Sequence, residues 1–397
     1  MIIDVTTTDV AHGGYCVARH EGVVVFVTGA LPGERVEVEI TGKRARMWYG
    51  RVVSVTTPSP DRIPHVWPLA ESAGIGGADL GYVSLEAGRR WKARVVDAQM
   101  ARIAHETTHA LVEPVGSDEA RGGLAWRTRV TFQVDPSGRL GMYGAKSHVI
   151  HPVDGMPLAH EEIQAALGED IERGVREAAG GTRAYVRPSG SPLVAVDRVG
   201  TTSPPRTSVV ETVRTQRGEW TYEVAADGFW QVHRDAPRVL VEAVLEAVGD
   251  ADGPMWDLYC GAGLFTQPLA DLGHPVTAVE SSPAAARDCR TNTAGRSVEC
   301  LTGDVAAVLS GFEPVGAGAV VCDPPRSGAG AEAVAQISRL GPTRVVYVAC
   351  DPAALARDVA LFAGYGYDLA SLRAFDLFPV THHVECVATL VTRPAPR

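Results

Sequence analysis

The stretch MWDLYCGAGLFT, residues 255–266, decides the fold. A short apolar run leads into Tyr259-Cys260-Gly261-Ala262-Gly263, where two glycines let the backbone turn tightly and come close to a ligand before a helix begins. Four later segments repeat that shape: HPVTAVESS (274–282), SVECLTGD (297–304), AGAVVCDPP (317–325) and RVVYVACDP (344–352). Each is an apolar strand that ends in polar, Gly or Pro residues and is followed by a helix-like segment. Strands alternating with helices mean βαβ units and a parallel sheet, which binds its ligands at the carboxyl ends of the strands. The run VECVATLVTR (384–393) reads as the last strand, closing the sheet.

The strand ends carry the candidate ligand contacts. Gly261 opens the loop for close approach. Thr266 stands where a dinucleotide fingerprint has its third glycine, so a diphosphate is disfavoured and an NAD-dependent oxidoreductase is a weak reading. Glu280 closes the second strand, where a carboxylate can accept both ribose hydroxyl protons. Asp304 and Asp323 close the third and fourth. A ring of acids suits a sulfonium-bearing nucleoside better than a diphosphate. For Glu280 and Asp304 the plain alternative is a surface acid at a strand end.

Three clusters fall on the same expected edge: Cys322-Asp323-Pro324-Pro325-Arg326, Ala349-Cys350-Asp351-Pro352 and His382-His383-Val384-Glu385. Asp351 is placed to cap the next helix with Pro352 in its first turn, which sets the Cys350 sulfur near a positive helix end. The Asp351 charge opposes that effect, so the direction of the Cys350 pKa shift stays open at this level. A thiolate and a carboxylate together would supply the minimum set for methylating uracil at C5. Thiolate addition at C6 of uracil makes C5 nucleophilic, and a base must then take the C5 proton. Cys350 and Glu385 are the candidate nucleophile and base. Asp323 and Arg326, on a loop stiffened by two prolines, are placed to hold base or cofactor. Cys289, Cys300 and Cys322 read as small buried hydrophobes.

Composition sets the limits. The chain has 397 residues, 45% hydrophobic and 21% charged, which implies more than one domain and a globular protein rather than a membrane one. MIIDVTTTDV lacks the blocks of a signal peptide, so a cytoplasmic location is expected. Seven cysteines without a CxxC pair suggest neither disulfides nor a metal site. A net charge of −10 argues against a surface that grips nucleic acid everywhere. Basic residues concentrate locally instead: Lys43, Arg44, Arg46 and Arg51 with Trp48 and Tyr49, and again Arg127, Arg129 and Arg139 within residues 121–146. Such patches can meet phosphates while aromatics stack on bases; a solvated strand face is the bland alternative.

Residues 1–57, rich in Val and punctuated by Gly and Pro, read as a small oligonucleotide-binding barrel. TTPSPDRIP (56–64) reads as a linker, and residues 84–104 as a helix with a basic face. The expected organisation is therefore a barrel over 1–57, a small β-rich central domain over 58–215 with one helical insert around residues 160–179, and an α/β, Rossmann-like domain over 216–397.

Five ordered motifs and the N-terminal segment together resemble the bacterial RNA 5-methyluridine methyltransferases. GGYCVARHEGVVVFVTGALPGERVEVEIT (13–41) is similar to that family's TRAM domain, an OB-fold; GFWQVH (228–233), DLYCGAGLFT (257–266), DPPRSG (323–328), YVACDPAALARD (347–358) and FPVTHHVE (378–385) are similar to its catalytic signatures. The resemblance implies a class I methyltransferase domain that binds S-adenosylmethionine through Gln231, Tyr259, Glu280 and Asp323, with Cys350 as nucleophile and Glu385 as proton acceptor. It implies an RNA substrate, 23S rRNA ahead of tRNA, and a helix near 84–104 that packs with the catalytic domain; separately, no interface-like apolar stripe asks for more than a monomer, and the lack of a long apolar run gives no membrane partner. Lys43, Arg44, Arg46 and Arg326 are the expected RNA contacts. Several relatives carry an iron–sulfur cluster on cysteines after the barrel, but residues 64–84 here hold no cysteine, so no cluster is expected. The nucleophile motif also reads Cys-Asp-Pro where Cys-Asn-Pro is usual.

Two other readings are weaker. An amino-methylating enzyme would follow DPP with an aromatic residue, whereas Arg326 follows here. A nonenzymatic RNA-binding protein would not need the complete set of cofactor and catalytic residues.

Overall fold

A computed structural model of the protein describes residues 1–135, 137, 139–144, 147–167, 183–187, 193–197, 208–225, 228–314 and 316–393. The N-terminal strands Ile2–Ala11, Tyr15–His20, Val23–Thr28, Arg35–Arg44 and Met47–Thr57 close into a barrel. Their alternation of apolar and polar residues puts Ile3, Val5, Ala18, Val25, Val36 and Val38 inside. The linker is no loose tether. Arg62 reaches back to the buried Glu34 at 2.6 Å and to the Gly29 carbonyl at 2.7 Å, which fastens the linker to the barrel.

The helix Leu85–Gln99, extended by a π turn over Met100–Ala104, joins two cores. Ala87, Trp91 and Val95 complete the barrel core, while Val96, Met100 and Ala104 enter the core of the large sheet. Its expected basic face differs in the structure. Lys92 is buried, donating to Asp376 and to the Phe378 carbonyl at 2.9 Å, and Arg90 and Arg94 are taken up by Asp61 and Asp9. Acids brought in from distant parts of the chain neutralise it. Truncating Lys92 strands a buried carboxylate, so Lys92→Ala is expected to cost about 3–5 kcal/mol of folding stability, measurable by urea denaturation.

The central region forms a sheet in the order Leu193–Asp197, Arg183–Arg187, Val130–Val134, Leu140–Tyr143, Ile150–Pro152. The helical insert begins as Glu161–Ala166, and residues 168–179 of that expectation lie outside the described residues. The hairpin Ser208–Thr215 and Gly218–Ala225 follows. The expected boundary between 215 and 216 falls in its turn, and both strands pack on the core of the C-terminal sheet through Val213, Trp220, Tyr222 and Val224.

The C-terminal sheet has eight strands, in the order Val298–Thr302, Val276–Glu280, Met255–Leu258, Ala319–Cys322, Arg344–Ala349, Glu385–Thr392, Tyr367–Phe375, Val112–Glu113. The first five run parallel, as their nearly unbroken apolar composition requires for strands covered on both faces. The last strand in sequence does not close the sheet at an edge. It inserts antiparallel between Arg344–Ala349 and Tyr367–Phe375, and the edge goes to Val112–Glu113. Being antiparallel, it starts where its parallel neighbours end. No helix among the described residues is long and apolar enough to cross a membrane.

Candidate active site

The carboxyl ends of the parallel strands gather the predicted residues. Ala349 pairs with Cys386 across the antiparallel ladder, so one further step of the same register sets Cys350 opposite Glu385. Asp323 follows the neighbouring strand, its amide donating to the Leu258 carbonyl at 3.3 Å. Cys350 is half-buried and Glu385 is buried. Burial first, then the facing Glu385 and Asp323 carboxylates, push the Cys350 thiol up to about 12, against the pull of Arg326. The direction left open by sequence is therefore upward in the free protein. Burial and the nearby Asp323 likewise lift Glu385 well above the usual carboxylate range, and burial lifts Asp323 to about 7. Both acids hold their protons more tightly because they are short of water, and Glu385 also because Asp323 is near.

Asp351 caps the helix Pro352–Gly364, its Oδ1 accepting the Ala353 and Ala354 amides at 3.0 Å each. Its Oδ2 meets His12 Nε2 at 3.1 Å and Arg326 Nε at 3.6 Å. Burial opposes its charge, but the His12 bond and the helix amides outweigh burial and hold it well below the usual range. His12 comes from the barrel, in the turn between the first two strands. Gly14 in the same turn, with φ +78°, sits so close to His382 and Asp79 that a Cβ there would lie 3.2 Å from the Asp79 carboxylate. The barrel thus rests directly on the loop that carries Cys350 and Asp351. The DPPRSG loop is pinned from below, where the buried Asp358 Oδ2 accepts the Tyr347 hydroxyl at 2.5 Å and the Ala329 amide at 2.7 Å.

The predicted cofactor residues Tyr259, Glu280 and Asp304 stand at the ends of the next three strands beyond that of Asp323. Glu280 Oε2 accepts the Gly261 amide at 3.0 Å, and Oε1 accepts the Ser282 amide at 2.6 Å, so its carboxylate is oriented before any ligand arrives. Tyr259 takes a left-handed backbone, φ +63°, rare for a residue with a side chain and held by the loop around it. Asp304 is exposed and spends Oδ1 on capping the helix Val305–Ser310, accepting the Ala307 amide at 3.0 Å. Gln231 is half-buried in the loop that follows the hairpin; its neighbour Trp230 shares a core with Ala262 and Leu264 of the glycine loop.

Two features show that this pocket fits a nucleoside cofactor. A Cβ built on Gly261 would meet nothing within 4 Å, which leaves open space against the backbone. The buried Asp257 below it accepts the Thr266 hydroxyl on Oδ2 at 2.5 Å, while Oδ1 has no partner among the described residues. Sequence reading passed over both Asp257 and His12: an acid inside a strand and a lone histidine in a turn carry no spacing signal.

Burial raises Asp257 to about 8, against the Thr266 bond and with help from Asp323. The unfolded chain ionises this group near about pH 3.9. The folded state therefore keeps a proton that the unfolded state releases, and this group's contribution to stability is intact below about pH 4 and lost as pH rises to about 8. Asp257→Asn should be more stable than the parent at pH 8 and show a flatter dependence from pH 5 to 8 in urea unfolding.

The RNA-contact candidates divide. Lys43, Arg44 and Arg46 are exposed at the barrel hairpin, with Lys43 Nζ 4.0 Å from the Trp48 ring centre and Arg44 5.9 Å from that of Tyr49. Arg51 is paired with Glu39. The second patch is not an open basic face: Arg127 donates to the Arg129 carbonyl at 3.0 Å, Arg129 donates to the Gly228 carbonyl at 2.5 Å, and Arg139 pairs with Asp135. Of these, Arg129 ties down the GFWQVH loop through Gly228. Lys146 lies outside the described residues.

Comparison with known proteins agrees with this geometry. Residues 2–58 match the TRAM domain, and residues 203–302 and 312–393 match the family described as tRNA (Uracil-5-)-methyltransferase. The chain is 40% identical to an uncharacterized RNA methyltransferase of Bifidobacterium longum, over 96% of this chain and 95% of that one. It is 39% identical to one of Streptomyces coelicolor, over 98% and 92%. Among solved structures, the Pyrococcus abyssi tRNA (uracil-54, C5)-methyltransferase in complex with S-adenosyl-L-homocysteine has the same fold, with a TM-score of 0.73 at 21% identity, covering 98% of this chain and 100% of that one.

Proposed function

Because the chain belongs to the tRNA (uracil-5-)-methyltransferase family of S-adenosylmethionine-dependent RNA methyltransferases, we propose that it methylates C5 of a uridine in RNA through a covalent adduct between Cys350 and C6 of the base. The observation that carries this reading is the register that sets Cys350 opposite the buried Glu385. When bound, S-adenosylmethionine supplies an electrophilic methyl group. Gln231, Tyr259, Gly261, Glu280, Asp304 and Asp323 are the residues that would hold it, with the Glu280 carboxylate facing its ribose.

The order of events follows from the groups present. The Cys350 thiolate forms a bond to C6, and the electron pair of the C5–C6 double bond moves to give an enolate in which C5 is nucleophilic. C5 takes the methyl group, whose bond to the sulfonium sulfur breaks and leaves a neutral thioether. Glu385 then removes the proton left on C5, the C5–C6 double bond returns, and the bond from C6 to sulfur breaks to release the thiolate. A carboxylate whose proton affinity is raised by burial suits this step better than an exposed one. Arg326 is the cation that favours the thiolate, and Asp351, held by His12 and the helix amides, fixes the loop that carries it. The base has to leave its stack to reach these strand ends.

We assign residues 1–57 to RNA binding through Lys43, Arg44 and Arg46, residues 58–215 to a central domain, and residues 216–397 to catalysis, in a cytoplasmic monomer. Large-subunit 23S rRNA is the substrate expected from the sequence; tRNA is the second reading, favoured by the description of the matched family. Incubating the protein with methyl-labelled S-adenosylmethionine and unmodified 23S rRNA or tRNA, followed by digestion, should give label in 5-methyluridine from one of them. Label in any other nucleoside would sink the proposal.

A further inference from the structure

Three thiols that the reaction does not use meet behind the cofactor loop. Cys260 belongs to the glycine loop, Cys289 to the helix Pro283–Asn292 and Cys300 to the edge strand Val298–Thr302. Their Sγ atoms all lie within 4.8 Å of one another, and those of Cys260 and Cys289 are 3.8 Å apart. Distance separates two chemistries. A disulfide needs its sulfurs about 2.05 Å apart, which would require Cys260 and Cys289 to close by nearly half their separation. Zinc–thiolate bonds of about 2.3 Å instead place the sulfurs of a tetrahedral site about 3.8 Å apart and those of a trigonal one about 4.0 Å apart. One ion at the centre of the cluster therefore asks for small side-chain adjustments only.

The donor set and its surroundings point the same way. No carboxylate or imidazole joins the three sulfurs among the described residues, and an all-thiolate set selects thiophilic cations over magnesium or calcium. Cys260 and Cys289 are buried among Ala278 and Val298, whereas Cys300 is half-buried and gives the route in. Three thiolates around a divalent ion leave one negative charge. Arg290 stands beside it, with Nε and Nη2 bonded to the Cys300 carbonyl at 3.1 and 2.9 Å. Cys289 also touches the cofactor loop a second time, since a Cβ on Gly263 would lie 3.2 Å from its sulfur.

We propose that Cys260, Cys289 and Cys300 form a trithiolate site for one thiophilic cation of the zinc class, which ties the glycine loop to the helix and edge strand behind it. A tetrahedral ion keeps one further position for solvent reaching it past Cys300. The site is independent of the methylation chemistry, and so is its test.

Full-length protein carrying Cys350→Ala, which removes the other half-buried thiol, would be reduced, stripped of metal and titrated with Cd2+. The expected result is one Cd2+ per chain, held against a tenfold excess of a weak chelator, with the ultraviolet thiolate-to-cadmium absorbance of three sulfurs. Adding Cys300→Ser, at the rim where folding is least at risk, should lower that absorbance to two thirds and weaken binding at least tenfold. Absence of the absorbance, or an absorbance and affinity unchanged by Cys300→Ser in protein with an unaltered circular dichroism spectrum, would overturn the proposal.

Discussion

Cys350→Ala is expected to lower methyl transfer to RNA by at least about four orders of magnitude while leaving affinity for S-adenosylhomocysteine within about twofold of the parent. The size of the loss follows from the substrate. C5 of uracil does not attack a sulfonium methyl unless a nucleophile first adds at C6, and no other half-exposed thiol stands at this edge of the sheet among the described residues. Cofactor binding is spared because the Glu280 carboxylate, three strands away, is oriented by the Gly261 and Ser282 amides. Single-turnover assays with labelled cofactor, beside equilibrium dialysis, separate the two effects. Equal loss of binding and turnover would point to a packing role for Cys350.

The raised thiol pKa gives this prediction a pH signature. In the free protein Cys350 is pushed up to about 12, so its thiolate fraction grows about tenfold per pH unit below that value. Alkylation of Cys350 by iodoacetamide should climb from pH 6 to 9 without a plateau. Glu385 is also shifted up, and its basic form is gained in the same direction. Activity should therefore rise with pH through the neutral range.

Glu385→Gln has the second largest expected effect, and a different kind of one. Glutamine keeps the shape and cannot take the C5 proton, so turnover should fall by about 10²- to 10⁴-fold. Addition at C6 and methyl transfer do not need that proton removed. The variant should accumulate methylated RNA attached to Cys350, visible as a protein–RNA band that survives denaturing electrophoresis and carries label from the cofactor. A slow variant with no trapped adduct would mean that Glu385 shapes the pocket without acting as the base.

Much of the site was legible because strand ends are punctuated. Apolar runs that stop at Asp-Pro-Pro, Cys-Asp-Pro or Gly-Ala-Gly mark the carboxyl edge of a parallel sheet, and a ligand has to bind there. Cys350, Glu280 and Asp323 were proposed as site residues from that pattern. Charge patches were a poorer guide. Residues 43–46 stay open, but Arg127, Arg129 and Lys92 turn inward to carbonyls and acids that sequence separation hides. The composition of a patch says nothing about which partners folding brings to it.

The order of apolar strands and helices, read from one end to the other, was enough to determine a barrel followed by a parallel sheet, and the thiol and carboxylate available to it. Register was not. That the last strand enters the middle of the sheet, and so sets Cys350 opposite Glu385, depends on hydrogen bonds between residues far apart in the chain. The same is true of His12, brought from the barrel to Asp351 beside Cys350, and of Cys260, Cys289 and Cys300, whose spacing suggests no site. Local propensity acts over a few residues, whereas pKa shifts, ion pairs and ligand clusters depend on distances of a few ångströms, which only the packed tertiary structure sets.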